Sequence, residues 1–449
     1  MKKIRIASGA GYAGDRVEPA IDVILIGNID YIAFECLAER TIAIAQAEKL
    51  KDSEKGYNGL LEERFEKILP ICAERKIKII TNMGAANPVS AIKKIKEIAI
   101  AKNIKNLKLA AVIGDDISSN LSKYENNEIL ELGVRLGEIK ENLISANVYI
   151  GIDGILEALK NGADVIVTGR CADPSLFLAP LVYEFGWDIN DANLISKGIM
   201  VGHLLECGAQ VSGGYYSTPT RDDVEDLWNV GFPIAEVSEN GDVIITKTET
   251  TSGKVTKDTC KEQLIYEIHN PKKYITPDGV ADFTTIQMQE IEKNKILLTG
   301  TTGEVRPEKL KVSIGYKDCF IADAGISYGG SLALEKAKSA AEVVEKRLES
   351  RGINFDEIRY DYIGYNSLYG NSISDKIQKS EYSEIRLRVA ARTKNRAEAK
   401  KIVDEVETLY TNGPSGGGGV TKSIEDVVSI CSIFVDREDI KIKTIYEEV

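Results

Sequence analysis

Short apolar runs alternate with amphipathic stretches over the first 212 residues of the chain. Six runs have the composition of buried strands, at residues 4–8, 31–36, 77–81, 107–113, 147–150 and 164–168. Between them, apolar residues recur at helical spacing, as at Leu61, Phe65 and Ile68. Strand–helix alternation of this kind predicts an α/β fold with a parallel sheet and helices on its faces. We expect the sheet of this N-terminal half to be open and doubly wound rather than closed into a barrel.

The pattern changes after residue 212. β-type segments at residues 243–247, 284–288, 295–298 and 310–314 precede an amphipathic helix over residues 332–351. A strand at residues 384–390, a helix at 396–409 and a last strand at 428–434 follow. We therefore predict two domains, a parallel α/β domain over residues 1–212 and an α+β domain over residues 213–449 that is ferredoxin-like in part.

Composition and charge narrow the class of protein. The 449 residues carry a formal net charge of −12, which argues against a broad nucleic-acid or anionic-membrane surface. The 7 cysteines are widely spaced without a C-x-x-C pair, which favours reduced thiols in a cytoplasmic protein. The 2 histidines exclude a His-rich zinc site, and no apolar run is long enough to predict a membrane span.

A glycine-rich turn follows the first predicted strand. Residues 9–14 match G-x-G-x-x-G, and Glu35 closes the next strand, as in dinucleotide-binding folds. An NAD(P)-dependent oxidoreductase is therefore one hypothesis, with the glycines, Gly11 among them, and Glu35 as nucleotide contacts. Asp15 and Glu18 weigh against it, because they place negative charge where a helix N-terminus would bind a pyrophosphate. The alternative is a turn shaped only for the path of the chain.

Polar side chains follow the other strands at their carboxyl ends, where open parallel sheets bind ligands. Arg170 could hold a substrate carboxylate or phosphate through a bidentate pair. Asp115 is a candidate ligand of Mg²⁺, which prefers oxygen donors. The candidate groups for proton transfer are Asp15, Asp116, Asp173, His203 and Glu206. The candidate substrate-binding residues are Gly11, Arg16, Glu35, Asn82, Asn87, Asn147 and Arg170.

Structural roles compete with these chemical ones. Asp173 and Asn87 each precede a proline at the predicted start of a helix, a position typical of N-caps. His203 and Glu206 are three residues apart on a predicted helix, so the carboxylate could orient the imidazole. A histidine near a helix C-terminus can also act only by stabilising the helix.

The motifs together resemble the acyclic terpene utilisation (AtuA) family, formerly a domain of unknown function. The similar segments are residues 9–16, 31–39, 81–88, 114–116, 169–173, 202–214, 261–268, 274–283, 310–316 and 325–330. The family is associated with bacterial gene clusters that degrade citronellol- and geraniol-type compounds through acyl-CoA intermediates. Its longer members carry a C-terminal ferredoxin-like domain. We expect this chain to end before that extra domain. The resemblance therefore implies a role in bacterial catabolism and a small separate subunit that supplies the ferredoxin-like domain.

Three hypotheses for function remain open from the sequence. The first is an enzyme acting on a carboxylated or acyl-CoA-type substrate by lyase or hydratase chemistry, with Arg170 as the anion clamp. On this hypothesis we expect Arg170→Ala to lose substrate binding while the fold survives. The second is the NAD(P)-dependent oxidoreductase, and the third is a non-catalytic subunit of a complex. The partners that we expect are a small anionic substrate and further copies of the chain in a homo-oligomer, with Mg²⁺ as the cofactor that best suits the acids.

Overall fold

A computed structural model describes residues 2–218, 224–377 and 382–449. The chain forms two compact units, Met1–Gly315 with Ile430–Val449, and Tyr316–Ser429. The strands are β1 (Lys3–Ala10), β2 (Tyr31–Phe34), β3 (Lys78–Thr81), β4 (Lys108–Ile113), β5 (Leu143–Val148), β6 (Val165–Thr168), β7 (Pro233–Ser238), β8 (Val243–Lys247), β9 (Tyr274–Ile275), β10 (Val280–Asp282), β11 (Gln287–Glu292), β12 (Lys295–Thr299), β13 (Thr302–Glu304), β14 (Lys309–Gly329), β15 (Glu357–Ile363), β16 (Glu384–Thr393), β17 (Gly417–Asp436) and β18 (Lys443–Glu448). The helices are α1 (Glu18–Ile26), α2 (Glu39–Lys51), α3 (Leu61–Arg75), α4 (Pro88–Ala101), α5 (Asp153–Lys160), α6 (Ser175–Phe185), α7 (Ala192–Glu206), α8 (Lys257–Ile265), α9 (Ala333–Ser350), α10 (Gly370–Ser374) and α11 (Arg396–Asn412).

The first unit is built on one large mixed sheet, with the order β11-β12-β8-β7-β1-β2-β3-β6-β4-β18. Its central strands β1, β2, β3, β6 and β4 are parallel, and the strands on either side of them are antiparallel. The parallel strands read as nearly continuous apolar runs because both of their faces are covered. The predicted α/β class is confirmed, and the sheet is open, with β11 and β18 as its ends.

Helices pack on both faces of this sheet. α1, α3 and α4 pack together, and α5, α6 and α7 form a second group. The chain steps from β1 through β3 to β4 in one direction and then returns to β6, which lies between β3 and β4. Because crossovers between parallel strands are right-handed, α4 after β3 and α5 after β4 lie on opposite faces. The helix after β6, α6, packs against α5 and lies on its side of the sheet. The carboxyl ends of β3 and β6 therefore flank a crevice of the kind in which α/β folds bind ligands.

Two features of the first unit differ from the sequence prediction. The predicted boundary between residues 212 and 213 lies inside this unit, because β7 and β8 extend the sheet by antiparallel pairing at β1. The predicted fifth parallel strand is also misplaced. β5 lies off the main sheet and pairs with β14, and Asn147, predicted to begin the fifth strand, lies near the end of β5.

The second unit, Tyr316–Ser429, contains a sheet with the order β15-β16-β14-β17. Along the chain the elements run β14, α9, β15, β16, α11 and β17, with the short helix α10 between β15 and β16. This β-α-β-β-α-β order is that of ferredoxin-like folds, which the sequence suggested for part of its second half. The core forms where α9 and α11 place Val344 and Val406 against Ile326 and Leu387 of the sheet.

The glycine turn at residues 9–14 is shaped by close packing. A Cβ on Gly9 would lie 2.6 Å from the ring of Phe34. A Cβ on Gly11 would lie 2.3 Å from the carbonyl carbon of Cys207, the residue that follows α7. Both glycines are therefore accounted for by contacts within the chain, and the contact at Gly11 sets the position of the end of α7.

We predict that Gly11→Ala destabilises the fold. The added methyl group meets backbone atoms that have no free rotation to move away, and overpacking of this kind costs about 1–3 kcal/mol. Urea unfolding followed by circular dichroism measures the loss. Gly59→Ala is the matched control, because a Cβ there would meet nothing within 4 Å. Equal unfolding midpoints for the two variants would show that the turn is not constrained by packing.

Candidate functional site

A cleft of about 840 Å³ lies in the first unit at the carboxyl ends of β1, β2 and β6. This volume is within the roughly 300–1,000 Å³ typical of small-molecule sites. Of the residues predicted from the sequence, Gly11, Glu35, Arg170, Asp173, His203 and Glu206 line it. We refer to six of the lining residues as the cleft floor: Glu35, Glu39, Arg170, Asp173, His203 and Glu206.

The guanidinium of Arg170 is held almost entirely by the protein. Its side chain is only 2% exposed. Nη1 donates to the carbonyl oxygen of Leu37 at 2.7 Å and to Oδ1 of Asp173 at 3.1 Å, while Nη2 lies 3.2 Å from Oε1 of Glu39. The ring of Tyr149 packs against the guanidinium, with its centroid 4.4 Å from Cζ. Arg170 therefore supplies the counter-charge for two acids of the cleft floor.

The pKa values of Glu39 and Asp173 are shifted in opposite directions, although both carboxylates lie beside Arg170. Burial opposes ionisation of Glu39, but the charges of Arg170 and Lys311 lower its pKa to about 2. The Lys311 ammonium lies 3.4 Å from Oε1 of Glu39. Burial raises the pKa of Asp173, and Arg170 acts in the opposite direction. The hydroxyl of Tyr149 donates to Oδ2 of Asp173 at 3.3 Å and accepts its backbone N–H at 3.2 Å.

Glu35 is buried and oriented by neutral donors. Its Oε1 accepts the backbone N–H of Leu37 at 2.8 Å and the side-chain amide of Asn82 at 2.9 Å. Asn82 is fixed in turn, because its Oδ1 accepts the N–H of Cys36 at 2.7 Å. Burial and the charge of Asp173 raise the pKa of Glu35 to about 8. At neutral pH its carboxyl group is therefore mostly protonated and can donate a hydrogen bond or a proton.

His203 and Glu206 form a buried pair at the end of α7. Nδ1 of His203 lies 2.7 Å from Oε1 of Glu206, and the imidazole packs against the rings of Tyr274 and Phe283 at 4.9 and 5.5 Å. Burial lowers the pKa of His203 to about 4 and, with the charges of Asp173 and Glu267 nearby, raises the pKa of Glu206. The described residues provide no hydrogen-bond partner for Nε2 of His203 or Oε2 of Glu206.

The structure places other predicted residues outside the cleft lining. Both oxygens of Asp15 accept backbone N–H groups, from Gly11 at 2.9 Å and from Arg16 at 2.8 Å. The side chain of Arg16 donates to the carbonyl oxygens of Trp228 and Val230. Asp15 and Arg16 therefore hold the glycine turn, and Asp15 occupies an N–H group that a pyrophosphate would need.

A second set of predicted residues links the strand ends to one another. Oδ2 of Asp115 accepts the side-chain amide of Asn147 and the backbone N–H of Arg170, each at 2.9 Å. Oδ2 of Asp116 accepts from Gln46 at 2.8 Å. These three predicted residues do not line the cleft. Asp115 supports the segment that carries Arg170 and is held by Asn147, whereas Asp116 is bound to α2 through Gln46.

The structure also gives Asn87 a structural role and bears on the predicted metal site at Asp115. Asn87 caps α4, because its side-chain oxygen accepts the N–H of Ser90. Across residues 2–218, 224–377 and 382–449, no group of three or more His, Cys, Asp or Glu side chains is placed to hold a metal ion. Oδ2 of Asp115 is already bound by the amide of Asn147 and the N–H of Arg170, and Mg²⁺ at Asp115 stays a prediction. Over the same residues, no helix is both long and apolar enough to cross a membrane.

Sequence reasoning missed three residues that shape the cleft, Tyr149, Glu39 and Lys311. Tyr149 follows an apolar strand and carries no motif, so nothing distinguished it from a core aromatic residue. Glu39 lies four residues after Glu35, so it falls outside the strand end at which site residues were predicted. Lys311 belongs to β14, far along the chain, and only the folded structure brings it to Glu39.

Comparisons with known proteins were made for the whole chain. The model of the acyclic terpene utilisation family protein AtuA matches residues 4–446. No curated protein matches the sequence significantly. Among solved structures, "De novo designed protein Ferredog-Diesel" is 18% identical and covers 24% of this chain and 84% of that chain, with a TM-score of 0.15. At that score the likeness supports no conclusion about fold or function.

We predict that Arg170→Met destabilises the protein by about 3–5 kcal/mol, because Asp173 and Glu39 lose their buried counter-charge. Chemical denaturation gives the free energy of unfolding. Arg396→Met is the control, since Arg396 pairs with Asp426 at an exposed site and exposed pairs contribute about 1 kcal/mol or less. Unchanged stability with loss of ligand binding only, the outcome that the sequence suggested, would contradict this structural role.

Proposed function

Because this chain belongs to the acyclic terpene utilisation (AtuA) family, we propose that it is an enzyme of bacterial small-molecule catabolism. Its substrate is an acyl compound, carried on coenzyme A or as a related carboxylic acid derivative. The reaction is of the lyase or hydratase type, in which water or another small group adds to or leaves a carbon chain. The observation that carries the proposal is the His203–Glu206 pair, whose outer atoms have no partner among the described residues.

The pair can act as an acid and a base at the same time. Its pKa directions leave both groups neutral near pH 7, so the pair then holds two protons. When Nδ1 donates to Oε1, Nε2 of His203 is a free base and Oε2 of Glu206 carries an acidic proton. Transfer of the shared proton across the 2.7 Å contact exchanges the two roles. The pair can therefore take a proton at one atom and deliver one at the other.

Hydration and dehydration need this combination. Loss of water from a 3-hydroxyacyl group removes one proton from carbon and adds one to the departing hydroxyl group. Nε2 of His203 would accept the first proton, and Oε2 of Glu206 would provide the second. The pair ends the reaction neutral, with its shared proton moved, so neither group has to become charged in a buried site.

Glu35 can provide the hydrogen-bond donor that this reaction needs at the acyl oxygen. Negative charge develops on the acyl oxygen when the neighbouring carbon loses its proton, and a hydrogen-bond donor at that oxygen lowers the barrier. A carboxyl group whose pKa is raised to about 8 is a donor of this kind at neutral pH. Asn82 acts as its positioning residue through the 2.9 Å hydrogen bond.

We predict that His203→Gln and Glu206→Gln each lower kcat by about 10²–10⁴-fold, the usual contribution of a general acid or base. The assay follows the interconversion of short-chain 3-hydroxyacyl and 2-enoyl thioesters, with solvent deuterium incorporation at the carbon next to the thioester as a second readout. Glutamine keeps the approximate size of each side chain but removes its titration, so the fold should be retained.

The control is Glu236→Gln, whose carboxylate pairs with Lys3 and Arg5 away from the cleft. We expect its turnover to equal that of the unmodified protein. Turnover and deuterium incorporation that persist in both cleft variants would exclude the pair as the acid–base group. The shifted pKa values of the buried groups in the cleft also favour an enzyme over a non-catalytic subunit.

A further inference from the structure

We infer that the reacting end of the substrate is an uncharged acyl group, such as a thioester or an amide, and that the cleft rejects the corresponding free carboxylate. The inference rests on the proposed function only in taking the cleft as the substrate site. It follows from which charges of the cleft already have partners and which polar atoms do not.

The cations that could bind a carboxylate are already paired. Arg170 has Asp173 on Nη1 and Glu39 on Nη2, and Tyr149 covers its face, so that only its buried Nε has no partner among the described residues. The ammonium of Lys311 lies 3.4 Å from the same Glu39 oxygen. The remaining basic residue of the lining, Lys309, is exposed at the first position of β14. An incoming carboxylate would therefore find no buried positive charge without displacing a protein carboxylate.

Acidic side chains outnumber basic ones along the lining. The acids are Glu35, Glu39, Asp173, Glu206 and Glu267, and the bases are Arg170, Lys309 and Lys311. Burial keeps Glu35 and Glu206 protonated near pH 7, so the three remaining acids are matched by the three bases and leave no positive charge in excess. A further carboxylate would therefore be desolvated without a partner, which is strongly unfavourable. A neutral carbonyl group carries the same oxygen acceptor without that penalty.

The unpartnered atoms of the cleft suit a neutral group. Nε2 of His203 and Oε2 of Glu206 belong to side chains that are 98% and 89% buried, and together they present one donor and one acceptor. A substrate hydroxyl group can accept from Oε2 of Glu206, while the carbon that loses its proton faces Nε2 of His203. An adjacent carbonyl oxygen can accept from Glu35, whose other neighbours hold it in place. A hydroxyl-bearing acyl derivative therefore matches the polar atoms that the protein leaves open.

A matched pair of probes tests the inference, 3-hydroxybutanamide and 3-hydroxybutanoate. Ligand-observed NMR titration of the whole chain near pH 7.5 gives both dissociation constants. We expect the amide to bind at least about tenfold more tightly than the carboxylate, equivalent to about 1.4 kcal/mol. Equal binding, or tighter binding of the carboxylate, would overturn the inference.

Glu39→Gln provides a gain-of-binding test. It removes the carboxylate that Arg170 and Lys311 share, so one positive charge of the cleft becomes available. The carboxylate probe should then bind at least about fivefold more tightly than to the unmodified protein, while the amide changes by less than about twofold. Glu236→Gln, which removes a carboxylate away from the cleft, should leave both constants unchanged.

The outcomes separate this inference from the proposed function. If neither probe binds the unmodified protein or Glu39→Gln, the cleft is not an acyl site and the inference fails. If the amide binds selectively but no thioester is converted, the inference stands and the proposed acid–base chemistry fails. If thioesters are converted but the carboxylate binds more tightly than the amide, the proposed function stands and the inference fails.

Discussion

The buried guanidinium of Arg170 is the charge on which the arrangement of the cleft depends. A guanidinium remains protonated at any ordinary pH, so the fold must supply partners for it once it is removed from water. Glu39, Asp173 and the carbonyl group of Leu37 provide them, and Asp115 fixes the backbone of Arg170 from behind. These partners come from the segments that follow β2, β4 and β6, so the side chain and backbone of Arg170 together connect three strand ends.

The pairing of Arg170 with Asp173 also explains why Glu35 and Glu206 are neutral. Asp173 can remain ionised beside Arg170, but its charge raises the pKa of Glu35 and of Glu206. Both groups are also buried, which acts in the same direction. His203, buried against two aromatic rings, is held in its neutral form. One paired cation thus allows several proton donors and acceptors to share a small space without further charge, as acid–base chemistry near pH 7 requires.

Much of the fold was predictable because it depends on local patterns. The apolar spacing of Leu61, Phe65 and Ile68 gave α3, and the apolar runs gave the parallel strands. The boundary near residue 212 was not predictable, because a change from helices to strands does not show whether the new strands join the existing sheet. The sequence predicted that Arg170 and His203 belong to the site, but it did not predict what each of them does there. Whether an arginine is free or paired depends on Glu39 and Asp173 in three dimensions, and the glycine motif was explained only by contact with Cys207.

The protonation state of His203 is the most direct test of whether the cleft keeps its acid–base pair neutral. The chain contains two histidines, so selective ¹³C labelling of the imidazole rings gives two sets of NMR signals, and His203→Gln assigns them. We predict that the His203 signals are those of a neutral ring and stay constant between about pH 5.5 and 8. The reason is that burial lowers the pKa of His203 to about 4. A His203 ring that titrates between about pH 6 and 7, or that is an imidazolium at neutral pH, would contradict it.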